Sequence, residues 1–182
     1  MRHLSILLAS TGLLFSAAAS AQSGAQQAQP QPMATAQFQD AQGRPAGQAR
    51  LIQTPAGVLI EAELRGLPPG EHAFHIHETG RCDAAGGFAS AGGHYAPREH
   101  KHGYLVEGGP HAGDLPNQFV GQDGVLRAHV LNPNVTLGSG EATLFDADGS
   151  ALVVHAGVDD YRSQPSGDAG GRLACGVIQR PG

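Results

Sequence analysis

The chain has 182 residues, with 27 glycines, 12 prolines and only 5% aromatic residues, a composition that favours a loop-rich all-β domain over a helical bundle. Its net charge is −5, and Lys101 is its single lysine. An acidic chain of this kind is not expected to bind nucleic acid or an anionic membrane surface.

Residues 1–21 have the features of a secretory signal peptide. Arg2 begins a short polar segment, residues 4–15 are mostly apolar, and Ala19-Ser20-Ala21 offers a cleavage site before Gln22. The apolar run is shorter than the roughly 20 residues that a membrane-spanning helix needs, so no membrane anchor is expected. We therefore expect export, and the style of the signal favours a bacterial periplasm.

Cleavage after residue 21 would remove Arg2 and no acidic residue, which changes the net charge from −5 to −6. Residues 22–33 are rich in Gln, Ala and Pro and are predicted to be a disordered linker. The only two cysteines, Cys82 and Cys175, are expected to form a disulfide in an oxidising compartment, and neither can carry an N-terminal lipid. The folded domain is thus predicted to span residues 34–182.

The first strands are predicted from residue 34 onwards. The turn signals at 40–43 and 54–57 separate predicted strands at 34–38, 49–53 and 58–64. The segment 58–64 alternates cleanly and places Val58, Ile60, Ala62 and Leu64 on one face. Strands at this spacing without a helical period indicate an antiparallel sandwich or barrel.

The next predicted strand, Phe74-His75-Ile76-His77, carries two histidines two residues apart. Residues i and i+2 of a strand point to the same face, so His75 and His77 should project together, away from Phe74 and Ile76. Two adjacent imidazoles suggest half of a metal site.

The periodic pattern disappears between Glu78 and Pro116. Loops longer than about 15 residues are uncommon and tend to be functional. This one contains several residues that could bind a metal or form a disulfide, namely Cys82, His94, His100, His102, His111 and Asp114. Metal ligation and a disulfide would give such a loop its order.

Strands are predicted again at 124–131, 141–145, 151–155 and 172–178. Within 151–155, Leu152 and Val154 should face the core, whereas His155 should lie on the opposite face. A second long loop, residues 156–171, separates the last two of these strands.

The histidines and Asp114 together supply enough ligands for two four-coordinate metals if one imidazole is shared. Imidazole nitrogens suit Cu(II) and zinc alike, and a set of three histidines and one aspartate suits a structural zinc. The candidate ligands are His75, His77, His94, His102, His111, Asp114 and His155.

Several segments resemble the copper,zinc superoxide dismutases, in the order of that family. The segments are Gly70–Glu78, Gly92–Pro97, His102-Gly103, His111–Asp114, Val153–Gly157 and Gly171–Ile178. The resemblance covers roughly residues 34–178 and is strongest for the bacterial periplasmic type. Ala73 stands where the family usually has glycine, and Ala96 where it usually has asparagine; neither is a ligand position.

The resemblance implies an eight-stranded antiparallel Greek-key barrel with two long functional loops. It also implies copper and zinc as cofactors and superoxide as the anionic substrate. The implied copper ligands are His75, His77, His94 and His155. The implied zinc ligands are His94, His102, His111 and Asp114. His94 would be the bridging imidazolate and a proton carrier, Asp159 would link a copper ligand to a zinc ligand, and Arg172 would attract the anion.

Other histidines receive a structural interpretation: His72 near the strand start, and His129 on an outer face. His100 is a rival of His102 for the zinc position, and the family spacing favours His102. Alternatives to a dismutase are a non-catalytic metal carrier, a zinc hydrolase and an inactive family member. The full ligand sets and Arg172 argue against them. The sequence leaves open whether the protein is a monomer or a homodimer.

Overall fold

The computed structural model describes residues 34–181, and the predictions for residues 1–21 and 22–33 lie outside this range. The described residues form nine strands and a single turn of 3₁₀ helix, Ala89–Ala91. The strands are β1 (Ala34–Asp40), β2 (Pro45–Thr54), β3 (Gly57–Arg65), β4 (Gly70–His72), β5 (Phe74–His77), β6 (Gln118–Val120), β7 (Val125–Asn132), β8 (Ala151–His155) and β9 (Arg172–Gln179). No helix within 34–181 is long and apolar enough to cross a membrane.

The strands form one antiparallel sheet in the order β4-β6-β7-β3-β2-β1-β9-β8-β5. The strands at its two ends, β4 and β5, are consecutive in the chain and are separated only by Ala73, so the sheet curls into a nearly closed barrel. The connection from β3 to β4 passes over β7 and β6, which gives the Greek-key character. Counted as one interrupted strand, β4 and β5 make the number eight, and the predicted all-β barrel is confirmed.

Two details of the predicted strands differ from the structure. Residues 141–145 do not form a strand; Thr143 makes only an isolated parallel bridge with Thr136, and the buried Leu144 anchors a loop. The three-residue strands β4 and β6 were not predicted, because they are too short to show an alternating pattern.

The barrel interior contains the main apolar cluster, to which β5 contributes Phe74 and Ile76, both fully buried. A smaller cluster lies on the other face of β8 and β9 and includes Phe88, Val153 and Cys175. Cys175 forms a disulfide with Cys82, with 5.6 Å between their Cα atoms. The disulfide therefore ties the start of the first long loop to the last strand, beside the smaller cluster.

Candidate metal centre

The strand β5 places His75 and His77 on one face, as its alternation predicts, and both side chains are fully buried. Their neighbour β8 pairs with β5 through Phe74↔Val154 and His77↔Ala151, and it ends at His155. Three imidazoles from two adjacent strands thus meet on the face opposite Phe74, Ile76 and Val154, outside the barrel wall.

The first long loop runs along the free edge of β5. Ile76 N–H donates to Gly113 O and Ile76 O accepts from Tyr95 N–H, each at 2.8 Å. Isolated bridges also join His77 to His94 and His75 to Asp114. These backbone contacts bring two loop residues of the predicted ligand set alongside the strand histidines.

The first ligand group consists of His75, His77, His94 and His155, each offering a nitrogen within 4.8 Å of the others. His77 Nε2 lies 3.2 Å from His155 Nε2. Nδ1 of His77 faces Gly92 O at 3.0 Å, and Nδ1 of His155 faces Gly170 O at 3.4 Å. When one ring nitrogen donates its hydrogen to a carbonyl, the other ring nitrogen carries a free lone pair. This is the arrangement of metal-bound histidines.

The second ligand group consists of His94, His102, His111 and Asp114. Nδ1 atoms of the three histidines lie 2.8, 3.1 and 3.5 Å from Asp114 Oδ1. Ligands of a tetrahedral zinc with bonds of about 2.0 Å are about 3.3 Å apart, so these spacings fit the edges of a zinc tetrahedron. Asp114 itself is almost fully buried.

His94 belongs to both groups. Its Nδ1 lies 2.8 Å from Asp114 Oδ1, whereas its Nε2 is buried and has no protein partner. Nδ1 of His75 and Nδ1 of His111 are likewise buried without a hydrogen-bond partner. Because buried polar atoms are nearly always paired, three orphaned nitrogens in two ligand groups fit two bound metals.

Asp159, from the second long loop, connects the two groups. Its Oδ2 lies 2.8 Å from His75 Nε2, and its Oδ1 lies 2.9 Å from His102 Nε2. Gly167 packs against this carboxylate so closely that a Cβ atom there would lie 1.9 Å from Asp159 Oδ1. The sequence resemblance suggested Asp159 but gave no role to Gly167.

Asn117 was also missed by sequence reasoning. Its side-chain Nδ2 donates to Asp159 O at 2.9 Å, and its Oδ1 accepts from Asp159 N–H at 3.0 Å. It therefore holds the backbone of Asp159 on both sides. Asn117 ends the segment Gly113-Asp114-Leu115-Pro116-Asn117, which resembles the bacterial type of the family, but an asparagine there carries no metal chemistry and received no role.

Arg172, the first residue of β9, is half-buried beside the first group. Its guanidinium donates to Phe88 O and, at 2.6 Å, to Gly92 O. It lines a depression of about 180 Å³ together with His77, Gly93, His94, His155, Pro165, Ser166 and Gly170. A small anion entering this depression would meet the guanidinium and the free nitrogens of the first group.

Burial and charge separate the protonation states of the histidines. Burial lowers the pKa of His94 to about 4 and that of His155 to about 3, and it lowers the pKa of His77 well below its ordinary value. Burial also opposes protonation of His102, but hydrogen bonds to Asp114 and Asp159 outweigh it and raise the pKa of His102 to about 9. His77, His94 and His155 are thus neutral at pH 7 and ready to bind a metal ion.

The remaining predicted histidines lie outside both groups. His100 is exposed, and its Nδ1 lies 3.0 Å from Pro110 O, so the structure brings His102 and not His100 to Asp114. His72 lies between Pro68 O and His155 O, at 2.9 and 2.8 Å. His129 is largely exposed on the outer face of β7, near Glu61.

The family model for copper/zinc superoxide dismutase matches residues 45–178. A superoxide dismutase [Cu-Zn] of Aquifex aeolicus is 48% identical over 181 residues, covering 98% of this chain and all of the relative. One from Caulobacter vibrioides is 45% identical over 149 residues, covering 80% of this chain and 85% of the relative.

Solved structures give the same result. The Cu/Zn superoxide dismutase from Brucella abortus is 31% identical, with a TM-score of 0.64 over 80% of this chain and 98% of the other. A SOD-like protein from Bacillus subtilis is 35% identical, with a TM-score of 0.76 over 80% and 97%. With its strand order, its two ligand groups and these relatives, the chain belongs to the copper/zinc superoxide dismutase family.

Proposed function

We propose that the protein is a superoxide dismutase, converting two superoxide ions and two protons into O₂ and H₂O₂. The observation that carries the proposal is the pair of ligand groups sharing His94, with Arg172 on the rim of the depression above the first group. A metal carrier would need the ligands but would have no use for a fixed guanidinium beside them.

The first group would hold copper and the second would hold zinc. Four histidine nitrogens suit Cu(II), and three histidines with one carboxylate fill a tetrahedral zinc site completely. The full second group argues against a zinc hydrolase, which needs an open position for water. When bound, copper supplies the one-electron redox couple through which one superoxide is oxidised and the next is reduced.

The residues of the chain then have distinct tasks. Arg172 attracts the anion, and its two carbonyl contacts hold the guanidinium beside the histidines. This local positive charge must outweigh the negative net charge of the protein. His94 would carry a proton on Nε2, the atom that faces the first group. Asp114 holds the ring in place at Nδ1.

We also propose that residues 1–21 are removed on export to the periplasm and that residues 22–33 link this signal to the domain at 34–182. The apolar segment before Ala19-Ser20-Ala21 supports export. The disulfide between Cys82 and Cys175 supports an oxidising compartment.

The test is superoxide dismutation by the chain from residue 22 onwards, loaded with copper and zinc, beside His155→Ala and the control His129→Ala. We expect fast dismutation in the wild type and the control, and a fall to the background of the uncatalysed reaction in His155→Ala. An inactive wild type with both metals bound and the disulfide intact would favour the metal carrier instead.

A further inference from the structure

Gln164, in the second long loop, binds the backbone of His102 on both sides. Its Oε1 accepts from His102 N–H at 3.0 Å, and its Nε2 donates to His102 O at 2.9 Å. Nε2 also donates to Arg162 O at 3.0 Å. One side-chain amide therefore satisfies both polar backbone groups of a residue 62 positions away in the chain.

The backbone contacts complete the fixation of His102. Its ring is already held by Asp114 at Nδ1 and by Asp159 at Nε2, at 3.1 and 2.9 Å. These two contacts orient the ring, and Gly103 N–H donates to Asp114 Oδ2 at 2.9 Å, which holds the peptide group after His102. Gln164 holds the peptide group before His102 through His102 N–H and adds a second contact after it at His102 O, so it helps to fix the position from which the ring reaches the second group.

The same side chain also fixes the rim of the depression above the first group. Gln164 directly precedes Pro165 and Ser166, which line that depression together with Arg172. Its amide thus joins the backbone of one ligand in the second group to a segment that lines the depression beside Arg172.

We propose that Gln164 is a positioning residue for the zinc site, which holds His102 in place and couples zinc binding to the order of the 162–166 segment. The inference rests on the proposed assignment of zinc to the second group. It does not depend on dismutation, because Gln164 contacts only backbone atoms of His102 and Arg162, and its tests measure zinc binding and hydrogen exchange.

The structure supplies a matched comparison. Arg162 also links the two long loops, through a hydrogen bond of 3.3 Å from its Nη1 to Leu105 O, but it contacts no ligand residue through its side chain. If any hydrogen bond between the two long loops were enough to support zinc binding, Arg162→Ala and Gln164→Ala would weaken it equally. If the backbone of His102 is what matters, only the second variant should affect zinc.

The first measurement is the rate at which zinc passes from the loaded protein to a colorimetric chelator. We expect release from Gln164→Ala to be about 10-fold faster than from the wild type, the lower end for loss of a residue that supports a metal ligand, because Gln164 is exposed and water can replace part of its bonding. Arg162→Ala should release zinc at the wild-type rate. The absorption of Co²⁺ bound in the second group should change in Gln164→Ala only.

Gln164→Met keeps the volume of the side chain and removes its hydrogen bonds, and it replaces Gln164→Ala if that variant does not fold. It should release zinc as Gln164→Ala does. Zinc release at the wild-type rate from both Gln164 variants would overturn the proposal. So would zinc release from Arg162→Ala that is as fast as release from Gln164→Ala.

The second measurement is hydrogen exchange of the 162–166 segment with and without zinc. Coupling is reciprocal, so zinc should slow exchange there in the wild type and in Arg162→Ala, and this slowing should be lost in Gln164→Ala. Equal slowing in all three proteins would contradict the coupling. A wild type that binds zinc but does not dismutate superoxide would overturn the proposed function and leave both measurements interpretable.

Discussion

Arg172 and His77 share one acceptor: Arg172 Nη2 lies 2.6 Å and His77 Nδ1 lies 3.0 Å from the carbonyl oxygen of Gly92. A single peptide group therefore sets the distance between the guanidinium and a proposed copper ligand. Gly92 belongs to the segment that the disulfide at Cys82 anchors to β9, so the placement of the positive charge depends on covalent as well as hydrogen-bonded structure.

Replacing the guanidinium should slow the reaction with superoxide. We expect Arg172→Ile to lower kcat/KM by at least about 10-fold, because a local positive charge beside the site raises the rate of anion encounter by one to three orders of magnitude. The kcat/KM of Arg172→Lys should lie between those of the wild type and Arg172→Ile. A lysine keeps the positive charge, but it lacks the planar guanidinium that donates to two carbonyls. The measurement is dismutation at several ionic strengths, with copper content checked in each variant. Unchanged kcat/KM in Arg172→Ile would argue against the proposed role.

Breaking the disulfide should cost stability. Cys82 and Cys175 are 93 residues apart, and the loop-entropy model puts the stabilisation from closing such a loop at about 4 kcal/mol. We expect the double variant Cys82→Ser, Cys175→Ser to lose most of this in denaturant unfolding of the metal-free protein. Unfolding of the wild type in a reducing agent should match the variant, and identical midpoints with and without reductant would contradict the prediction.

A methyl group at Gly167 should disrupt the connection between the two ligand groups. A Cβ atom at this position would overlap Asp159 Oδ1 and would lie 2.7 Å from His102 Nε2, so Gly167→Ala should displace the carboxylate and weaken zinc binding by about 10-fold or more. Gly66→Ala is the matched control, because Gly66 has a similar φ of +76° and no atom within 4 Å of the added methyl. Both variants carry the backbone strain of a positive φ, about 1–2 kcal/mol, so only the difference between them in zinc titration reports the overlap.

The metal-free protein should lose stability on mild acidification. The pKa of His94 is lowered to about 4 and that of His155 to about 3, below the ordinary value of 6.5 that the unfolded chain has. Between these values the unfolded state binds more protons than the folded state, so stability falls as the pH drops from about 6.5 towards 3. His102 has the opposite effect. Its pKa is raised to about 9, so its protonation stabilises the folded state fully below pH 6.5, and this stabilisation is lost as the pH rises towards 9.

The check is denaturant unfolding of the metal-free protein at pH 5, 7 and 9. We expect maximum stability near pH 7, and a smaller loss of stability on acidification in His155→Ala, which lacks one of the three imidazoles whose pKa burial lowers. Stability that is flat between pH 5 and pH 7 would contradict the lowered pKa values of His77, His94 and His155.

The sequence predicted the parts of the molecule whose residue types carry the chemistry. The alternation of Phe74-His75-Ile76-His77 identified the strand and its two faces, because a period of two has one structural reading in an all-β chain. The short strand Gln118–Val120 was missed, since its pairing is set by distant partners. Residues 141–145 were predicted as a strand, whereas they form a loop that the buried side chain of Leu144 anchors.

Supporting residues around the site were harder to find. Asn117 and Gln164 act through backbone groups 42 and 62 positions away, so no local motif or spacing reveals these roles. Gly167 matters only because of what lies 1.9 Å from its missing side chain. Such roles depend on how two loops meet, and local sequence patterns contain no information about that meeting.

The contact between the first long loop and β5 has a consequence beyond metal binding. β5 is the last strand of the sheet, and the backbone of Tyr95 and Gly113 occupies the polar groups of Ile76 that would otherwise face outwards. An uncovered strand edge is a template for pairing with another chain. The loop that gathers the ligands therefore also protects this edge, and a protein whose loop comes away from β5 would expose a surface for strand-to-strand aggregation.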